Sequence, residues 1–461
     1  MVFSSLNFLF IFLPVTLAIY LLVPFAAKNI ILLLASVFFY AWGEPVYVVL
    51  MLLSIVFNYI VGLQFEANSS KKSRKKQLIL AVVVNLLLLG FFKYTGLLVS
   101  TFNSVFGTSI AWKELSLPVG ISFYTFQALS YVIDAYKGKV RVQHDFVSFA
   151  TYITMFPQLI AGPIVTYSQV EKQLKRRRVS LAQAGAGVER LILGLAKKVL
   201  LANNLGLLYT TIQAQSDRSF LTAWLGIAAY TLQIYFDFSG YSDMAIGMGK
   251  MLGFNFPENF DYPYMAKSVT EFWRKWHITL SSWFRDYVYI PLGGNRVGAV
   301  RHIINIMIVW MLTGLWHGAG WNFLLWGLYY GILLIIEKYI LIPLCRNVPS
   351  VVKHIYTMII VCFGWVMFSN TDFTEMGVYL GNLFGSGTSA FADASFAYYL
   401  KSNLILLVLS IIACSPAFKK LFTRISKKTA AGAMAISIIL FLVCTAYLVY
   451  NSYNPFLYFR F

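Results

Sequence analysis

Five histidines occur in the 461 residues of the chain, and two stand where an imidazole can do chemistry. His317 closes the apolar run His302–Trp316 and opens Trp316-His317-Gly318-Ala319-Gly320-Trp321, whose glycines let backbone or substrate approach closely. His277 lies in Glu271-Phe-Trp-Arg-Lys-Trp-His277-Ile-Thr-Leu-Ser-Ser-Trp-Phe-Arg-Asp-Tyr287. At helical spacing Trp273, Trp276, Leu280, Trp283 and Tyr287 form an aromatic stripe, and Arg274, His277, Ser281 and Arg285 an adjacent polar one. A neutral imidazole near its ordinary pKa takes the proton from a hydroxyl as that hydroxyl attacks an acyl carbon. Fixed cations beside it would dock an anionic substrate. The plain alternatives stay open: an imidazole satisfied by a buried carbonyl at 317, and an interfacial anchor at 271–287.

A third polar segment, Gln233-Ile-Tyr-Phe-Asp237-Phe-Ser-Gly-Tyr-Ser-Asp243, ends an apolar run with two carboxylates and several hydroxyls. A hydrogen-bonded helix break is expected at Asp237 and Ser239, whereas Asp243 is a candidate to orient an imidazole. His144 and His354 stand among basic or loop residues and are expected to face water; His302 is expected at an interface. No HExxH, GxSxG or Walker loop occurs, and no metal site is expected. Cys345, Cys362, Cys414 and Cys444 form no CxxC pair and read as buried thiols.

These groups must be positioned by a chain that is 59% hydrophobic and 12% charged, with a net charge of +19. So few polar residues cannot solvate several soluble domains. The basic residues fall in short runs between apolar stretches, so no water-facing patch for a nucleic acid is formed. The sequence predicts an all-α polytopic membrane protein. Phe8–Phe25 is expected as a retained first span, followed by Asn29–Trp42, Val46–Leu63 and Gln77–Phe92. Further segments are Phe146–Val165, Val188–Leu201, Phe220–Phe236, His302–Trp316, Trp321–Ile336, Val352–Phe368, Leu404–Ala413 and Ala433–Tyr450. Pro157 and Pro163 predict a broken or re-entrant element within Phe146–Val165. The clusters Lys71–Lys76, Lys172–Arg178 and Lys419–Lys428 hold 15 of the 37 Lys and Arg and are expected on the cytoplasmic side. That parity puts the tail Asn451–Phe461 outside. Acyl transfer with histidine as base is one functional class that fits; a transporter with broken polar helices is the rival, although no convincing internal repeat is seen.

Several blocks carry a resemblance. Phe272-Trp-Arg-Lys-Trp-His277 running on to Ile290-Pro-Leu-Gly-Gly294, together with Gly314-Leu-Trp-His317-Gly-Ala-Gly-Trp321, resembles the signature of membrane-bound O-acyltransferases (MBOAT), in their bacterial alginate O-acetyltransferase-like branch. Tyr235–Gly247, Pro257–Phe260 and Phe156–Pro163 extend it through the centre of the chain. The resemblance implies a bundle of about 11–13 spanning or re-entrant helices with a central funnel, forming one membrane domain over 1–461 with a catalytic core at 230–330. It implies that His317 is the essential histidine and His277 the second, which positions or polarises. Acetyl-CoA or another acyl thioester would be the donor substrate, its phosphates steered by Arg274, Lys275 and Arg285, with no bound cofactor. Phe456-Leu-Tyr458-Phe-Arg-Phe461 is similar to the FxYxxF tail motif, which makes Tyr458 a candidate acyl carrier. An extracellular SGNH-type acetyltransferase or similar polysaccharide-modifying partner, and a bacterial cytoplasmic membrane, are implied in turn. The alternative within the family is D-alanyl transfer to teichoic acid.

Overall fold

A computed structural model describes residues 1–450 other than 69, 114, 389, 418, 421–422 and 425–428. Among the described residues helix is the regular structure present, with no strand. Eight helices among the described residues are long and apolar enough to cross a membrane, nine if a pair bent by 61°, Ala394–Ser402 and Leu404–Ala413, counts as one span. The all-α polytopic class follows from this pattern, since a helix satisfies its backbone groups within itself and needs no water. The chain divides into two compact units, Met1–Leu191 with Tyr241–Pro257, and Ile192–Gly240 with the residues from Glu258 onward.

The first unit opens with a π-helical turn, Phe8–Phe12, that runs into α1 (Leu13–Leu22). The expected span to Phe25 stops short because Val23 turns extended and Pro24 begins α2 (Phe25–Gly43). α3 (Tyr47–Ala67) and α4 (Lys71–Phe106) follow. The basic cluster Lys71–Lys76 forms the first turns of α4 instead of a loop, with Ser70 capping through Ser73 N–H.

α5 (Ile121–Tyr136) is absent from the spans expected above. Its polar residues Thr125, Gln127, Ser130 and Asp134 lower its hydropathy, yet all four are buried. The broken element is present. α6 (Phe146–Thr154) ends at Met155, and α7 (Phe156–Leu159) restarts with Pro157 in its first turn. Ser36 Oγ accepts from the Phe156 N–H exposed by the break, at 3.1 Å. After α8 (Tyr167–Lys175), Arg177 departs from the solvated cytoplasmic cluster expected at 172–178. It is buried, donates to Tyr20 Oη and Asn29 Oδ1 at 2.7 Å each, and lies 4.4 Å from the Phe254 ring centre.

α9 (Leu181–Ala196), a π-helical turn Lys197–Ala202 and α10 (Asn203–Gln213) form one long rod. α11 (Phe220–Met251) follows. The helix break expected at Asp237 and Ser239 does not occur, because α11 runs unbroken past both. Within the second unit Asp237 forms a buried ion pair with Lys198, Nζ to Oδ1 2.5 Å, so the carboxylate needs no helix break to be satisfied. The same unit holds α12 (Val269–Lys275), α13 (Ile278–Phe284), α14 (Ala299–His317) and α15 (Trp321–Ile336). Its core is largely aromatic: Trp273 meets Trp310 and Tyr330 edge-on at 4.8 Å, and Trp276 meets Trp365 at 4.9 Å. Such pairs add ~0.5–1.5 kcal/mol each beyond the area they bury.

Candidate active site

His317 is the last residue of α14, and the turn to α15 is made by Gly318 and Gly320, both extended. A side chain at Gly314 would strike the Phe323 carbonyl, and one at Gly318 would strike the Phe323 ring. These glycines therefore permit the close helix pairing that their spacing anticipates. The imidazole stands edge-on to Trp316 and Trp326 at 5.1 Å each and to Phe368 at 5.4 Å, and 6% of the residue stays exposed.

His277 departs from the continuous helix expected over 271–287. α12 ends at Lys275, Trp276 is extended, and His277 takes left-handed angles (φ 45°, ψ 53°) before α13 begins. Non-glycine residues seldom adopt this conformation, and the contacts that impose it come from a preceding segment. Lys275 carbonyl accepts from Asp261 N–H at 3.0 Å, and Asn259 carbonyl accepts from Ile278 N–H at 3.0 Å. Asn259 Oδ1 accepts from Thr279 N–H at 3.3 Å and Thr279 Oγ1–H at 2.8 Å, and lies 3.1 Å from His277 Nδ1. The break also separates the residues grouped on one polar stripe: Arg274 is exposed whereas His277 is 1% exposed.

The two imidazoles come together. The Trp316 ring lies 5.8 Å from the His277 ring and 5.1 Å from that of His317, so one indole contacts both imidazoles. Phe238 closes on His277 edge-on at 4.7 Å. Lys275 pairs with Glu271 at 2.8 Å and Arg285 with Asp286 at 2.8 Å. These are exposed or half-buried pairs of small net strength, which an anionic ligand can exchange. Asp243, the candidate to orient an imidazole, instead takes two hydrogen bonds from Arg190, at 3.0 and 2.8 Å. Tyr458 lies outside the described residues. Among the described residues no group of three or more His, Cys, Asp or Glu is placed to hold a metal ion.

Two supporting residues escaped the sequence reading. Asn259 sits within the quoted Pro257–Phe260 block, but nothing in that block says what it holds. Glu337, in the π-helical turn Glu337–Leu341, is 2% exposed. Its carboxylate accepts from Val269 N–H and Thr270 N–H at 2.7 Å each, capping the N-terminus of α12. The opening turn Ser268-Val-Thr-Glu271 shows the ordinary cap, with Ser268 Oγ accepting from Glu271 N–H at 3.0 Å. No local pattern points to a carboxylate from a distant helix.

Helices of membrane-crossing length agree with a multi-pass membrane protein, and the profile of the MBOAT, membrane-bound O-acyltransferase family matches residues 42–376. The chain belongs to this family and is an O-acyltransferase. It is 43% identical over 373 residues to the probable alginate O-acetylase AlgI of Pseudomonas aeruginosa, covering 80% of this chain and 72% of that protein. Against the probable alginate O-acetylase AlgI of Pseudomonas putida it is 37% identical with both chains covered in full. The peptidoglycan O-acetyltransferase of Helicobacter pylori is 36% identical over 404 residues, 80% of this chain and 77% of that one.

Proposed function

We propose that this membrane O-acyltransferase moves an acetyl group from a cytoplasmic thioester, acetyl-CoA, toward O-acetylation of an extracellular or cell-wall polysaccharide, from a bacterial cytoplasmic membrane. The observation that carries the reading is the pair His277 and His317 flanking Trp316 in one buried aromatic enclosure. Residues 230–330 form the catalytic core of a single membrane domain. The acceptor hydroxyl oxygen attacks the thioester carbonyl carbon while its proton passes to His317. The C–S bond then breaks, the sulfur takes up that proton, and ester and free thiol leave. His277 positions the reacting groups. Arg274, Lys275 and Arg285 hold the donor's phosphates, exchanging their carboxylate partners for the ligand where they have them. Tyr458 is proposed as the hydroxyl that takes the acyl group and hands it to an SGNH-type partner outside. The likeness to two kinds of named O-acetylating relatives supports acetyl as the group moved.

Purified protein in proteoliposomes, given acetyl-CoA labelled in its acetyl group, is expected to release free CoA and to carry label on the C-terminal peptide at Tyr458. CoA release without label on that peptide removes Tyr458 from the relay. Absence of thiol release with membrane-inserted protein overturns the acetyl-CoA reading; D-alanyl transfer from a carrier thioester is then measured with labelled D-alanine.

A further inference from the structure

The contacts around His277 decide which of its nitrogens carries the proton. Asn259 Oδ1 receives Thr279 N–H and Thr279 Oγ1–H. A backbone N–H only donates, so the atom facing it is the amide oxygen and not the amide nitrogen. That same oxygen lies 3.1 Å from His277 Nδ1. An amide oxygen has no proton to give, so Nδ1 must be the donor. A neutral imidazole with Nδ1 protonated bears its lone pair on Nε2. The anchor is rigid, because Asn259 also takes Ile278 N–H on its backbone carbonyl at 3.0 Å and so supplies oxygens to the first two N–H groups of α13.

We infer that Asn259 is a positioning residue that fixes neutral His277 in the Nδ1–H tautomer, so that Nε2 enters the site as a hydrogen-bond acceptor. In this state His277 takes a hydrogen bond from a hydroxyl or from a second imidazole, and it does not polarise the thioester carbonyl by donation from Nε2. The tautomer stands on geometry alone; its catalytic meaning rests on the acyl-transfer reading proposed above.

The test is ¹⁵N NMR of histidine-labelled protein in nanodiscs at pH 8, where five histidines contribute and His277→Gln identifies the pair of resonances belonging to position 277. The expected result is a protonated Nδ1 and an unprotonated Nε2. In Asn259→Leu the Nε2–H form should gain population, with kcat falling about a hundredfold, the worth of a correctly protonated acid–base group. Asn259→Asp keeps the acceptor, restores the Nδ1–H form and recovers kcat to within about tenfold. Its carboxylate favours imidazolium and moves the acid limb of the kcat–pH profile upward, a change that a merely structural role would not produce. Thr279→Val, which removes one donor from Asn259 but leaves the imidazole contact, should keep the wild-type tautomer. An Nε2–H imidazole at position 277 in the unsubstituted protein overturns the inference, whether or not Asn259→Leu folds. An Nδ1–H imidazole in a protein that releases no thiol from acetyl-CoA upholds it and overturns the acetyl-CoA reading instead.

Discussion

The two ends of α14 carry histidines of opposite kinds. His302, near the start, is 3% exposed and held at both nitrogens by polar partners. Lys338 Nζ donates to its Nε2 at 3.2 Å, and Tyr289 Oη lies 2.9 Å from the same atom. Nε2 is thereby the acceptor, and Nδ1–H donates to Tyr339 Oη at 2.7 Å. His317, at the far end, is framed by the rings of Trp316, Trp326 and Phe368 beside a glycine turn. The polar partners of His302 hold it in one tautomer, whereas the ring contacts of His317 are the edges of two indoles and a phenyl ring. Burial alone does not separate the two.

The largest effect expected from that contrast is on turnover. His317→Ala should lower CoA release by about 10³-fold with normal membrane insertion, whereas His302→Gln should stay within about threefold. Equal losses in the two variants would break the contrast. A second arrangement of committed polar groups extends it: Asp237→Ala leaves Lys198 buried without its counter-charge and should destabilise the protein by about 3–5 kcal/mol. The double variant Lys198→Met/Asp237→Leu should recover most of that loss in thermal unfolding in detergent. If both lose stability equally, the pair has a role beyond charge matching. Glu337→Gln sharpens the comparison from the other histidine. The Glu337 carboxylate takes three hydrogen bonds from α12, from Val269 N–H, Thr270 N–H and the Thr270 hydroxyl, and losing a charge-assisted one should destabilise by about 1.5–3 kcal/mol. Because α12 leads directly into His277, kcat should fall several-fold further than in His302→Gln; a purely thermal effect would confine Glu337 to scaffolding.

Much of this was legible in residue order. The turn carrying His317 announces itself through Gly314, Gly318 and Gly320 flanked by tryptophans, and Pro157 marks the break between α6 and α7. What escaped depends on contacts between distant segments. The stripe over 271–287 obeys helical spacing, and only the backbone of Asn259 and Asp261, pairing with Lys275 and Ile278, shows that the helix stops at 275. Arg177 reads as one cation of a basic cluster and Lys198 falls unremarked within Val188–Leu201, since a sequence does not reveal that Tyr20 and Asn29, or Asp237, will meet them. α5 is not legible as a span because hydropathy measures preference for lipid, and a helix buried among other helices can carry Thr125, Gln127, Ser130 and Asp134.

The pairing of α14 with α15 leaves no clearance. Besides Gly314 and Gly318, a methyl group at Gly327 would strike the Trp310 carbonyl, and one at Gly331 would come within 2.9 Å of Met307 Sδ. Backbone atoms cannot rotate out of the way, so even alanine at 314 or 327 must displace a whole helix. Directed evolution toward bulkier acyl groups would therefore find this hairpin barren ground, and new specificity has to be grafted onto surfaces that can yield without dragging position 317 along.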